Sequence, residues 1–242
     1  MMIAKIGPEE FNTNAQQAPL FSCETCEKPL YDCPRAGFHG PWEYDKAPKD
    51  VQEKAVEKWQ EDFHTRQDTD WSEYTIEDAE QIAEILGITI DSRPSRSNEP
   101  CIYWSGFSSQ GGGACFEGSY AYKKGAAKEI RQHAPQDEEL HRIANRLQQL
   151  QAKAFYQLTA TSKHTGHYSH SHSTTIDVYR IHPRTQDDLD ASDYEEPLAQ
   201  LLRDFMDWIY KRLEEEYNYQ GSEEAAKEIL LGYDVTEEGE IC

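Results

Sequence analysis

Apolar positions recur with two distinct periods along most of the chain, and the changes of period mark its elements. From Pro48 to about Phe63, Val51, Ala55, Val56 and Trp59 share one helical face, with Asp50 placed to cap it. Ile76, Ala79, Ile82, Ala83 and Leu86 predict a second helix from about Thr75, which Gly87 ends. Ile88-Thr89-Ile90 reads as a short strand. Cys101-Ile102-Tyr103-Trp104 and Ala114 to Tyr120 read as two more, joined by a glycine-rich connection. A short helix follows to about His133. A longer one opens at Asp137-Glu138-Glu139 and carries Leu140, Ile143, Ala144, Leu147, Leu150 and Ala154 as its stripe, ending near Phe155. Tyr156 to Ser162 and Ser173 to Ile181 alternate and are β-branched, so they read as the two strands of a hairpin.

Residues 183–192 are polar and acidic and read as a linker. The longest periodic segment runs from about Pro197 to Tyr217, with Leu198, Leu201, Leu202, Phe205, Ile209, Leu213 and Tyr217 at spacings of three and four, so that one broad face is expected to be buried. Gly221 and Ser222 stop it, and a small helix runs on to Leu230. Strands in hairpin order flanked by helices, without βαβ alternation, predict an α+β fold: an antiparallel sheet covered by helices. Residues 1–22 lack periodicity, so the expected organisation is a small cysteine-containing appendage over 1–45 and a single α+β domain over 46–242.

Charge changes the picture of partners. The 242 residues carry a net charge of −21, which disfavours direct binding to nucleic acid or an anionic membrane and suits a ligand for a basic protein groove. The charge is uneven: residues 1–117 sum to −12, residues 118–182 to +4 and residues 183–242 to −13. No stretch approaches a membrane span and the amino terminus has no long apolar run, so a cytoplasmic protein is expected. Six cysteines fit that expectation as thiols or metal ligands rather than disulfides.

Three stretches offer chemistry. Cys23, Cys26, Cys33 and His39 lie among prolines and glycines that could shape a knuckle, and together they would complete a closed structural zinc site; the alternative is a metal-free, proline-rich loop. Gly111, Gly112 and Gly113 could cradle a phosphate, yet neither phosphate-loop spacing is present. A bulge or hairpin that lets Phe107 and Phe116 pack fits better, with Ser109 and Gln110 free to make specific hydrogen bonds. His164, His167, His170 and His172 cluster in the loop of the later hairpin. His170 and His172, expected on one side of a strand, are the pair to test for metal, against a plain polar surface loop. Cys115 has these histidines as candidate neighbours for a Cys–His nucleophile, although a buried thiol is the simpler reading. Trp104, Trp208 and Tyr210 read as core or groove anchors.

The segment SGFSSQGGGACFEGSY, followed by YKKGAAKEIRQHAPQDEELHRIA, resembles an uncharacterised family of phage and mobile-element proteins, some labelled antitoxins of toxin–antitoxin stability systems. The likeness extends to WSEYTIEDAEQIAEILGITID and LRDFMDWIYKRLEEEYNY, covering about residues 50–240. The family pattern SGFxSQGDGA has an aromatic residue after the phenylalanine and an acid between the glycines, where this chain has Ser108 and Gly112. What the resemblance implies is a phage or integrated-element origin and a role against host machinery. The expected function is that of a non-enzymatic acidic binding protein which neutralises a host protein with a basic surface. Its candidate binding residues are Trp104, Phe107, Ser109, Gln110 and Phe116, and homo-oligomers are compatible with it. The alternatives are a metal-dependent hydrolase or nucleotide-processing enzyme built on the histidine loop and glycine run, and a phage assembly protein.

Overall fold

A computed structural model describes residues 41–66, 69–93, 99–107 and 112–242. In chain order these form β1 (Trp42–Glu43), α1 (Lys49–Thr65), α2 (Glu73–Leu86), β2 (Ile88–Ile90), β3 (Ile102–Trp104) and β4 (Ala114–Phe116). Then come β5 (Gly118–Ala121), α3 (Ala126–His133), α4 (Glu138–Lys153), β6 (Leu158–His164) and β7 (Thr174–Ile181). The chain closes with β8 (Asp188–Leu189), α5 (Glu195–Gln220), α6 (Glu223–Leu230) and β9 (Asp234–Val235). The fold is α+β, with every strand pair antiparallel.

Contacts divide the described residues into two compact units, one of residues 41–65 with 223–242 and one within residues 66–222, where a single domain from residue 46 is expected from the sequence. In the first, Val51, Ala55 and Val56 of α1 meet Ala226 and Leu230 of α6 around Tyr44 and Val235. Its two-stranded sheet pairs Trp42 with Val235 and Glu43 with Asp234. Strands of two residues carry too little alternation to be read from sequence. The candidate zinc ligands Cys23, Cys26, Cys33 and His39 lie outside the described residues.

The larger unit is built on a five-stranded sheet in the order β2-β5-β6-β7-β8. Helix α5 lies against β4 and β7 and against α2 and α4, and its Leu198, Leu202, Phe205, Met206, Ile209 and Leu213 are fully buried. The predicted stripe is that face. Asp137 caps α4, its carboxylate accepting from the Leu140 N–H at 2.9 Å. Gly87 takes φ +87°, and a Cβ there would stand 2.2 Å from the Ala121 carbonyl oxygen, so no other residue fits.

The sequence reading differs from the structure at three joints. The strand expected from Ala114 to Tyr120 is two strands: β4 pairs with β3 as a separate ribbon, and after Glu117 the chain enters the main sheet as β5. Apolar alternation continues through both, so periodicity alone could not place the break. Within the acidic linker, β8 adds Leu189 to the sheet opposite Arg180. Phe155 and Tyr156, read as helix end and strand start, instead turn the chain with φ of +58° and +62°.

Candidate functional site

The β3–β4 ribbon carries the motif, and its two faces do different things because side chains alternate across a strand. Register places Ile102 opposite Phe116, Tyr103 opposite Cys115 and Trp104 opposite Ala114. Ile102, Trp104, Ala114 and Phe116 therefore share one face. Phe116 is 1% exposed and meets the Phe205 ring at 6.1 Å, so this candidate binding residue is core and supports the site from below. Trp104 and Phe107 are only half-buried and join three further rings. Trp71 stands 5.3 Å from Trp104 and 5.4 Å from Tyr217, and Phe107 stands 5.1 Å from Tyr217 and 5.3 Å from Tyr210. Trp71 comes from the 3-10 turn before α2, and the tyrosines come from α5. Trp71 and Tyr217 are absent from the sequence-derived site because nothing local distinguishes them from core aromatics. Ser109 and Gln110 lie outside the described residues.

The opposite face of the ribbon bears Tyr103 and Cys115 and meets the tip of the β6–β7 hairpin. The His164 ring stacks on Tyr103 at 4.9 Å. The Glu117 carboxylate accepts from the Tyr103 hydroxyl and from the His164 backbone N–H, each at 3.2 Å. The Arg93 guanidinium lies 4.8 Å from the Tyr103 ring centre, donates to the Ile102 carbonyl at 3.0 Å and pairs with Glu99 at 3.5 Å. Burial, then neighbouring Cys101 and Glu117, pushes the Tyr103 phenol up to about 12. It stays a neutral donor.

Gly113 explains one part of the glycine run. A Cβ on it would stand 2.8 Å from His170 Cδ2 and 3.0 Å from His170 Cα, so the ribbon approaches the hairpin tip only because the side chain is missing. His170 and His172 do not sit on a strand. His170 caps a 3-10 turn, Ser171–Ser173, that contains His172; their rings are 5.5 Å apart, and His170 Nδ1 accepts from the His172 backbone N–H at 3.1 Å. Among the described residues, no three His, Cys, Asp or Glu side chains converge as metal ligands. Cys115 is fully buried, and burial pushes its thiol up to about 11 against weaker opposing pulls from Thr174 and the His170 backbone. A thiol protonated at neutral pH is a packing group rather than the nucleophile of a Cys–His pair.

Beside the aromatic cluster, a groove of about 460 Å³ opens between the start of α2 and β3. Trp104, Ile76 and Ile102 supply its apolar wall, and its charged lining is the Arg93–Glu99 pair together with the carboxylates of Asp70, Glu73, Glu77 and Glu80. None of these four carboxylates makes an ion pair with a described residue. Burial, reinforced by Glu77, raises the Glu80 carboxyl above its ordinary value.

The fold and this site define an acidic α+β domain with a half-exposed aromatic cluster at the end of a small β-ribbon. Residues 71–223 match the family described as a domain of unknown function, DUF8835, and the chain belongs to it. The match coincides with the larger unit and leaves the smaller one outside, apart from Glu223. No curated protein and no solved structure matches the chain. Among the described residues, no helix is long and apolar enough to cross a membrane.

Proposed function

We propose that this protein is a non-enzymatic binding protein, encoded by a phage or mobile element, that neutralises a host bacterial protein with a basic surface. One observation supports this reading above the others: five half-buried rings, Trp71, Trp104, Phe107, Tyr210 and Tyr217, meet beside a groove in which Asp70, Glu73, Glu77 and Glu80 have no cation partner among the described residues. Clustered aromatics that keep part of their surface in water are the usual anchors of a protein interface, and uncompensated negative charge steers a basic partner toward them. The overall charge of −21 extends that field over the molecule. In this reading the bacterial cytoplasm is the working compartment. A zinc ion held by Cys23, Cys26, Cys33 and His39 would serve only to stiffen the amino-terminal arm.

A tagged pull-down from bacterial lysate tests the proposal, washed at low and at high salt, with stoichiometry read by mass. One host protein is expected at near-equal amounts, released as salt rises, and largely lost with Trp104→Ala. A bait that keeps its fold and returns no stoichiometric partner overturns the reading.

A further inference from the structure

The acidic groove beside Trp104 sets four carboxylates against an apolar wall. Carboxylates along the outer side of a helix are ordinarily solvated and carry no information about a ligand. Here Ile76, Ile102 and the Trp104 indole close one side, leaving a volume of about 460 Å³. Arg93 is the one cation among the described residues that line it, and it is already committed to Glu99, to the Ile102 carbonyl and to the Tyr103 ring. Asp70, Glu73, Glu77 and Glu80 are left to face the space without a described counter-charge.

We infer that this groove seats an arginine-bearing segment of the partner protein, its guanidinium lying against the Trp104 indole and pairing with the α2 carboxylates. The inference rests on the proposed binding role and names where and by what chemistry the partner is held. A guanidinium suits the site better than an ammonium, because its flat face stacks on an indole while its edge donates to more than one carboxylate. Charge complementarity selects the sign of the occupant, and the aromatic wall selects its shape. The lift of the Glu80 carboxyl agrees with this, since a bound cation would relieve it.

The test is calorimetric titration of the full chain with octa-arginine, octa-lysine and octa-glutamate at low salt. Two variants that each remove two carboxylates are compared: Glu73→Gln with Glu77→Gln in the groove, and Asp187→Asn with Asp193→Asn on an exposed segment. The expected result is octa-arginine binding weakened about tenfold by the groove variant and less than about twofold by the control. Trp104→Leu is expected to weaken octa-arginine more than octa-lysine, with thermal melts confirming that each variant folds. Equal losses from both double variants, equal affinity for the two basic peptides, or no binding of either, overturns the inference. The host-protein pull-down separates the two levels. A partner still retained by the groove variant sinks the groove and spares the binding role, whereas a wild-type bait without a partner sinks the binding role while the peptides still decide the groove.

Discussion

Gln151 shows how much one residue can hold. It is fully buried, its side-chain amide donates to the Leu158 carbonyl at 2.8 Å, and its oxygen accepts from the Leu158 N–H at 3.2 Å. It closes the connection between α4 and β6 as a strand neighbour would. Gln151→Leu leaves both backbone groups buried and unpaired, and a loss of about 2–3 kcal/mol is expected in chemical denaturation. Phe155 has the opposite sign. It stands 71% exposed at φ +58°, where an L-side chain costs about 1 kcal/mol and glycine costs little. Phe155→Gly is therefore expected to raise stability by about 0.5–1 kcal/mol, read as an increase in Tm. In sequence, neither position stands out: Gln151 reads as one more polar helix residue, and Phe155 as the end of an apolar stripe.

At the scale of elements, two junctions fix how neighbouring segments pack. The first is the cap of α4. Burial pushes the Asp137 carboxyl up, but hydrogen bonds from Leu140 N–H and from Trp208 Nε1, with the Arg212 charge, outweigh it and hold the group below its ordinary value. A depressed folded value means that the stabilisation is complete above the unfolded carboxylate range and is lost as pH falls through the folded one. Melting curves taken from neutral into acid should show this loss, and Asp137→Asn should flatten it. The second junction is the close approach of the ribbon to the hairpin tip at Gly113. Gly113→Ala forces the His170 segment to move, so a cost of about 1–3 kcal/mol is expected, with amide shifts centred on residues 168–174. The glycine run was legible as something required. Which glycine, and against what, needed a contact 57 positions away in the chain.

At the scale of the molecule, two cores and one net charge govern behaviour. The cores around Phe205 and around Val51 share no residue, and the family match follows the larger one. Residues 66–222 alone are therefore expected to melt cooperatively by circular dichroism. A non-cooperative trace would show that this core needs the rest of the chain. The charge of −21 repels itself within any compact state. Added salt should therefore raise the Tm of the full chain by a few degrees, on the order of 1 kcal/mol, before specific ion effects intervene. That direction is opposite to the one expected for partner binding, which salt should weaken.

What the sequence by itself determined were the features that repeat over several turns or residues. These are the helices α1, α2, α4 and α5 with their buried stripes, the long hairpin, and the antiparallel α+β class. A period needs length to register, and these elements have it. Tertiary structure alone decided where the β-strand after Ala114 breaks, how the chain divides into units, and that β1, β8 and β9 exist at all. It also assembled the site, bringing Trp71, Tyr210 and Tyr217 to Trp104 and Phe107, the two of its residues that the sequence singles out for binding. The five span nearly 150 positions, and Trp71, Tyr210 and Tyr217 are individually indistinguishable from core aromatics. Phe116 and Trp104 lie on one face of the same ribbon, yet one is sealed beneath α5 and the other reaches water. Burial is set by what the rest of the chain brings over a residue, and no local pattern carries that information.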